Sequence, residues 1–383
     1  MSELINSRDS RATIRWKLLT GVSALALVVS SASIANAEDS GQPQIWIELG
    51  GQLSRLDDGQ ETFAPAFPES PPRPSIFSPS QKFEKPPLYG LDEDGKISYQ
   101  PEGSDWIFSA SIRYGRSSAN RRVHQQTTPA TYFKYNSTGK LYDSAIPGGA
   151  KFTDTAAQTS EKYLLLDFQA GKDVGLGLFG GKTSSVVSLG VRFAQFSTRS
   201  NIALKSVPDW HFHYKYVTYA SIDKNILSGQ VYHSNRGELR ATRSFRGVGP
   251  SLSWSNTTPF AGDLQDGELA LDWGINAALL FGRQKVRTHH QTTTLYHNYK
   301  YHTGVHVTVG TPVSTNHTRS RNVIVPNVGG SVGLSYRMED FKVSFGYRAD
   351  MFFGAMDGGI DTRKDENRGF YGPFASVSVG LGD

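Results

Sequence analysis

Cysteine is absent from this 383-residue chain, so no disulfide can staple it and no thiolate can hold a metal. The absence also suits an oxidising compartment outside the cytoplasm. Beyond residue 37 no apolar window reaches the roughly 20 residues that a membrane-spanning helix needs. The mature part is therefore either water-soluble or a membrane β-barrel, and hydropathy alone does not choose between them. Charge of one sign is scarce as well. The chain has 40 Lys and Arg against 35 Asp and Glu, a formal +5, and lacks the concentrated basic face that nucleic acid requires. No nucleic-acid partner is expected.

An export signature stands at the start. Arg11, Arg15 and Lys17 precede an apolar stretch from Leu18 to Ile34, and Ala35, Asn36 and Ala37 follow as the small residues of a cleavage site. Residues 1–37 are read as a cleaved signal peptide and residues 38–383 as one mature domain, with residues 57–103 a proline-rich insert.

Along the mature chain, hydrophobicity alternates with period two, the periodicity of a strand with two different faces. In 269–282, Leu269, Leu271, Trp273, Ile275, Ala277, Leu279 and Phe281 share one face, opposite Ala270, Asp272, Gly274, Asn276, Ala278, Leu280 and Gly282. The same pattern recurs at 44–55, 105–116, 161–171 and 341–353, and more weakly at 186–197, 245–255, 327–337 and 370–381. Long polar connections (199–244, 287–322) alternate with short ones such as 338–340. Short turns at one end and long loops at the other is the arrangement of an outer-membrane barrel.

A soluble β-sandwich also alternates, but its solvated face carries long charged side chains. Here the second face is rich in Gly, Ser and Ala, as a crowded lumen demands. The apolar sets are also longer than the usual 5 or 6 residues of soluble strands and close to the roughly 9–11 that a tilted strand needs to cross a bilayer. Aromatic residues gather near strand ends (Trp106, Tyr114, Phe281, Phe341, Phe353), where an interfacial girdle sits. The expected fold is all-β, a transmembrane antiparallel up-and-down barrel of 8–12 strands with ten preferred. Nine segments are legible, so residues 57–103 must either supply a tenth strand, near Lys96 to Gln100, or fold into the lumen as a plug. Closure of an antiparallel barrel needs an even number.

The segments FRGVGPSLSW (245–254), LDWGINAALLFGR (271–283), FGYRADMFFGAMDGGID (345–361) and GFYGPFASVSVGLG (369–382) resemble the Legionella major-outer-membrane-protein-like pore-forming family of Gram-negative bacteria. The likeness extends from about Trp46 onward. It departs from the aromatic ending usual in outer-membrane barrels, since this chain ends Leu381-Gly382-Asp383. The resemblance implies an outer-membrane location and passive diffusion of small solutes or ions through the barrel. The implied partners are outer-membrane lipid and lipopolysaccharide, the barrel-assembly machinery and the solutes themselves.

Strand parity sends Arg113, Arg192, Arg337, Lys342 and Arg348 to the lumen, together with Glu48, Glu161, Asp167, Asp272 and Asp350. The candidate pore-lining set is Arg113, Arg192, Arg337 and Arg348 facing Glu48, Asp167, Asp272 and Asp350. One reading is a self-satisfied network filling a narrow barrel. The other is a transverse field along a small aqueous pore, toward which the resemblance leans. The alternative function is a closed structural or adhesive barrel acting through its outer loops.

Other chemistry is weakly signalled. All ten histidines fall outside the predicted crossing segments and are read as solvated loop residues; His211 and His213, two apart on one face of an extended strand, could at most bind a transition metal weakly, and no metal site and no cofactor is assigned. YHSNRG (232–237) approaches the signature of outer-membrane lipid hydrolases. That chemistry needs His and Ser two apart on a strand so that both point one way, whereas His233 and Ser234 are adjacent. No catalytic residue is assigned and the protein is expected not to be an enzyme.

Overall fold

A computed structural model of the chain describes residues 44–57, 61–62, 82–83, 88–126, 131–135, 141–147, 152–174, 184–219, 222–300, 304–309 and 312–381. The expected signal peptide and most of the proline-rich stretch lie outside the described residues. Ten long strands carry the architecture. In chain order they are β1 (Gln44–Asp57), β2 (Leu88–Gln100), β3 (Trp106–Gln126), β4 (Phe152–Asp173) and β5 (Ser184–Tyr219), then β6 (Ile222–Asp263), β7 (Gly267–Lys300), β8 (Val313–Met338), β9 (Phe341–Asp357) and β10 (Asp365–Leu381). Each pairs antiparallel with its successor, and β1 pairs with β10, with Ile45 opposite Leu381 and Asp57 opposite Gly369. The sheet thus closes on itself as an up-and-down barrel and leaves no free edge.

The tenth strand comes from the segment around residues 57–103, as one of the two expectations had it, but it is longer than expected. It starts at Leu88 rather than near Lys96 and pairs along its length with β1, Leu56 opposite Leu88 and Gln44 opposite Gln100. The short connections 101–105, 264–266 and 339–340 fall at one end, where β4 ends at Asp173 and β5 begins at Ser184. At 264–266 the Asp263 carboxylate accepts the backbone N–H groups of Gln265 (3.0 Å) and Asp266 (2.8 Å), the side-chain mimic of a turn. Gly262 and Gly267 flank it at positive φ (82° and 110°), where a side chain would strain the backbone.

At the opposite end the strands overshoot. β5, β6 and β7 run for 36, 42 and 34 residues, several times what a bilayer requires. Much of what the sequence presents as long polar loops, 199–244 and 287–322, is therefore strand. Above the lipid the outer face meets water and no longer needs apolar side chains, so the hydrophobic alternation disappears while the backbone ladder carries on. β9, β10, β1 and β2 are far shorter, 17, 17, 14 and 13 residues, and the barrel wall is tall on one side and low on the other.

The two faces behave as their chemistry requires. Ile275, Leu279 and Phe281 point outward and are 53%, 41% and 52% exposed, whereas Ala278 and Leu280 between them are buried inside. Around the outer surface Leu91, Phe168, Leu189, Ile324 and Phe345 are likewise exposed. An apolar band of this kind is stable only under hydrocarbon. Near the short-turn end Trp254 and Trp273 pack edge to face with centroids 5.1 Å apart, and Trp254 Nε1 donates to Ser185 Oγ at 2.9 Å. An apolar body with one polar handle is what the membrane interface selects.

Candidate functional site in the lumen

Because side chains alternate, each strand places a residue in the lumen every second position, and climbing a strand climbs the lumen in steps. On β4 the steps from the short-turn end are Asp167, Leu165, Tyr163 and Glu161. On β5 they are Arg192, Ala194, Phe196 and Thr198. On both strands the order is polar, apolar, aromatic and polar, so the lumen is stratified.

The lowest polar tier holds Lys342 with Asp272 (2.6 Å) and Arg337 with Glu268 (3.6 Å). Above it Arg113 reaches across from β3 to Asp350 on β9 at 2.5 Å, both nearly buried. Arg192 makes a two-pronged contact with Asp167, Nε to Oδ1 at 2.6 Å and Nη2 to Oδ2 at 3.1 Å, and Nη1 also donates to Asn276 at 2.7 Å and to Asn327. This fork fits the guanidinium's fixed donor geometry. Arg348 lies 3.7 Å from Asp94 and covers the Phe374 ring, its Cζ 4.7 Å from the centroid. Gln52 Nε2 donates to the carbonyl of Arg348 at 3.0 Å. A polar cavity of about 170 Å³ remains among these groups, lined by Glu48, Asp94, Lys96, Asp167 and their basic partners. Asp94 Oδ1 is buried there without a hydrogen-bond partner among the described residues, as is Asp92 Oδ1 nearby.

The next tier is apolar. Tyr163, Phe196, Phe245, Leu280, Phe352, Met356 and Phe370 are at most 1% exposed and form one packed cluster with Leu165 and Val325. Phe196 sits at its centre, 4.8 Å from the Phe352 centroid, 5.5 Å from Phe370 and 5.7 Å from Phe245. An interior of about eight strands is just filled by ordinary side chains, and in this ten-stranded barrel the extra width is taken up by rings. Tyr163 donates its hydroxyl downward to Asp92, which ties the aromatic tier to the polar one. Above the rings the lumen is polar again, with Glu161, Arg243, Gln284 and Arg368.

The eight residues expected to line the lumen all lie in it, but their partners differ from the expected set. Arg113 with Asp350 and Arg192 with Asp167 pair within it. Arg348 and Arg337 instead meet Asp94 and Glu268, and Asp272 meets Lys342. Asp92 and Asp94 escaped notice because β2 is not legible as a strand. Glu268, Asn276 and Asn327 do carry the signal, since parity alone puts them on the inner face. The apolar tier was missed because Leu280 and Phe352 look like breaks in the alternation rather than luminal residues. The histidine reading also changes: His289, His290 and His317 belong to strands β7 and β8, not to loops.

A closed antiparallel barrel with an apolar exterior and a charged interior defines an outer-membrane β-barrel protein. The chain belongs to the Legionella major outer membrane protein family: the family described as Legionella pneumophila major outer membrane protein precursor matches residues 129–380. Its location is accordingly the outer membrane, and the short turns face the periplasm. No curated protein matches the chain. Among solved structures, the chain is similar to the transport unit of the autotransporter AIDA-I from Escherichia coli, at 9% identity over 94% of this chain and 97% of that one, with a TM-score of 0.22. It is also similar to the Pseudomonas putida toluene transporter TodX, at 9% identity over 90% of each chain and a TM-score of 0.16. The Ralstonia pickettii toluene transporter TbuX stands at 7% identity over 90% of each chain, with a TM-score of 0.18. Scores this low carry no argument about cargo.

Proposed function

We propose that this barrel is a porin-like conduit for small solutes or ions, closed at rest by its aromatic tier. The observation that carries this reading is the polar tier, a charge-lined cavity of about 170 Å³ in the lumen where Asp94 Oδ1 has no hydrogen-bond partner among the described residues. Buried carboxylate oxygens of this kind are ordinarily satisfied by water or a cation. A purely structural interior would be expected to consume its own charges. Solute passes when the rings between Phe196 and Phe352 give way. Arg113, Arg192, Arg337 and Arg348, with Glu48, Asp167, Asp272 and Asp350, set the transverse field the solute meets. In this reading lipid and lipopolysaccharide surround the barrel, and the barrel-assembly machinery inserts it. No catalytic role is assigned, and Ser234 of the hydrolase-like stretch is buried in β6, 6% exposed.

A second reading is favoured by the aromatic tier itself. A lumen sealed by rings without solvent access, beneath a wall extended by the long β5 and β6 hairpin, suits a closed barrel that works through its outer face. Planar-bilayer recording separates the two. The conduit reading expects brief, small openings from the wild-type chain and stable steps from Phe196→Ala or Phe352→Ala, with folding of each variant checked by its heat-dependent gel migration. Silence from the folded wild type and both folded variants would sink it in favour of the closed barrel.

A further inference from the structure

The connection between the two short strands β9 and β10 bends inward to meet the tall wall. Arg319 of β8 holds it: the guanidinium pairs with Asp357 (3.0 and 3.3 Å) and donates to the carbonyls of Gly359 (2.9 Å), Ile360 (2.7 Å) and Asp361 (3.2 Å). Thr288 of β7 adds a bond to the Ile360 carbonyl at 3.1 Å, and Arg243 of β6 one to that of Gly358 at 3.1 Å. Ile360 packs against a second buried apolar cluster of Ala157, Ile202, Leu204 and Leu239.

Held in this way, the loop delivers Asp361 to two histidines. His290 of β7 and His317 of β8 lie on the inner face, two residues out of direct register, since His290 is opposite Thr315 and His317 opposite Thr288. Their rings stack with centroids 6.3 Å apart. Both Nε2 atoms converge on one carboxylate oxygen, Asp361 Oδ1, at 2.8 Å from His290 and 3.1 Å from His317. The His290 side chain is 5% exposed, and its Nδ1 has no hydrogen-bond partner among the described residues. That buried ring therefore directs its polar contact to the cluster alone.

We propose that His290, His317 and Asp361 form a binding site for a divalent transition-metal cation of the zinc class at the outer mouth of the barrel, one that fastens the loop at 358–364 to the wall. Two imidazoles and one carboxylate are a ligand set for such ions, which bind at about 2.0–2.2 Å and leave a fourth position open when the protein supplies three ligands. The three ligand atoms already lie within 4.8 Å of one another. Asp361 is 47% exposed and on a loop, so it can withdraw by the few tenths of an ångström a cation requires. Moving the His290 ring proton to Nδ1, which has no competing partner, bares Nε2 for the metal. Hard cations such as Mg²⁺ prefer all-oxygen sites, and the pair of imidazoles selects against them.

The test is equilibrium dialysis of Zn²⁺, and Co²⁺ absorption spectroscopy, on the untagged mature chain refolded in detergent. One tightly held ion per barrel is expected. Losing an outer-shell partner already weakens metal binding by about 10–100-fold, so losing a ligand should cost at least that in His290→Ala, His317→Ala and Asp361→Asn. His289→Ala, whose ring points away to Asn316, should bind as wild type does. Asp361→Asn changes only an exposed loop side chain, so at least one informative variant retains the fold. No uptake by the folded wild type would overturn the proposal, as would undiminished uptake by Asp361→Asn and the histidine variants.

Discussion

Glu161 of β4 and Arg368 of β10 meet across the lumen at 3.3 Å, and neither side chain has any solvent exposure. They lie directly above the apolar tier, where Arg368 also donates to Thr198 at 3.4 Å. Two charges taken out of water are tolerable only while they answer each other. Removing one partner by Glu161→Ala or Arg368→Ala should therefore cost about 3–5 kcal/mol, read as a fall in the urea midpoint of the refolded barrel. Replacing both, Glu161→Leu with Arg368→Met, leaves no orphaned charge and should recover most of the loss. If the double variant is as unstable as either single one, the pair is not what stabilises this tier.

The glycines of the inner face make room for the large luminal side chains. At Gly115 on β3 an added Cβ would overlap Asp92 Oδ1 and the Tyr163 ring, whereas at Gly95, on the outer face of β2, the nearest atom would be Leu49 Cδ2 at 3.6 Å. Gly115→Ala should therefore destabilise the barrel by about 1–3 kcal/mol through overpacking, and Gly95→Ala should be tolerated. Comparing the two unfolding midpoints checks this directly. Equal effects would mean that the lumen is looser than its packing indicates.

How far the molecule can be read in advance depends on what each face touches. Lipid enforces alternation, so Leu269 through Phe281 announced both a strand and its outward side. Within β2 the outward set is Tyr89, Leu91, Glu93, Gly95, Ile97 and Tyr99, and the Glu and Gly in its middle hide the pattern. Luminal residues answer to one another rather than to a solvent. Parity could place Arg192 inside beside Asp167, but it could not say that Phe196 and Phe352, from strands far apart in sequence, would pack edge to face between two polar tiers. Above the bilayer no rule of hydrophobicity separates the faces, and so His290 and His317 looked like loop residues. Only the register between β7 and β8 brings them together.

The outer face should respond to charge according to depth. Phe345 lies between Phe341 and Phe353 along β9 and is 66% exposed, which in the membrane means immersed in hydrocarbon. Phe345→Arg should cost about 2–4 kcal/mol, and Phe341→Arg, at the periplasmic rim, about 0–1 kcal/mol. Urea titration in lipid vesicles measures both. A uniform penalty would indicate that this face of β9 is covered by protein rather than by lipid.

Arg319 is placed to govern the inward-folded loop without touching the polar tier below. Its guanidinium holds Asp357 and three loop carbonyls at once, and no lysine could span that fork with a single point charge. Within the same loop Arg363 and Lys364 offer trypsin its cleavage sites. While the loop is fastened, its backbone is shielded, since Gly358 N–H donates to the Lys364 carbonyl at 2.7 Å and Lys364 N–H to Asp357 Oδ1 at 3.1 Å. Arg319→Ala removes the anchor and leaves the buried Asp357 carboxylate without its cation, so the loop should open and cleavage after Arg363 or Lys364 should speed by an order of magnitude or more, because each 1.4 kcal/mol of lost docking shifts the open fraction about tenfold. Arg319→Lys should fall nearer to alanine than to wild type. Timed digestion of the refolded barrel, with fragments identified by mass, reads the rates. Unchanged cleavage in Arg319→Ala would mean that Thr288, Arg243 and the packing of Ile360 hold the loop without it.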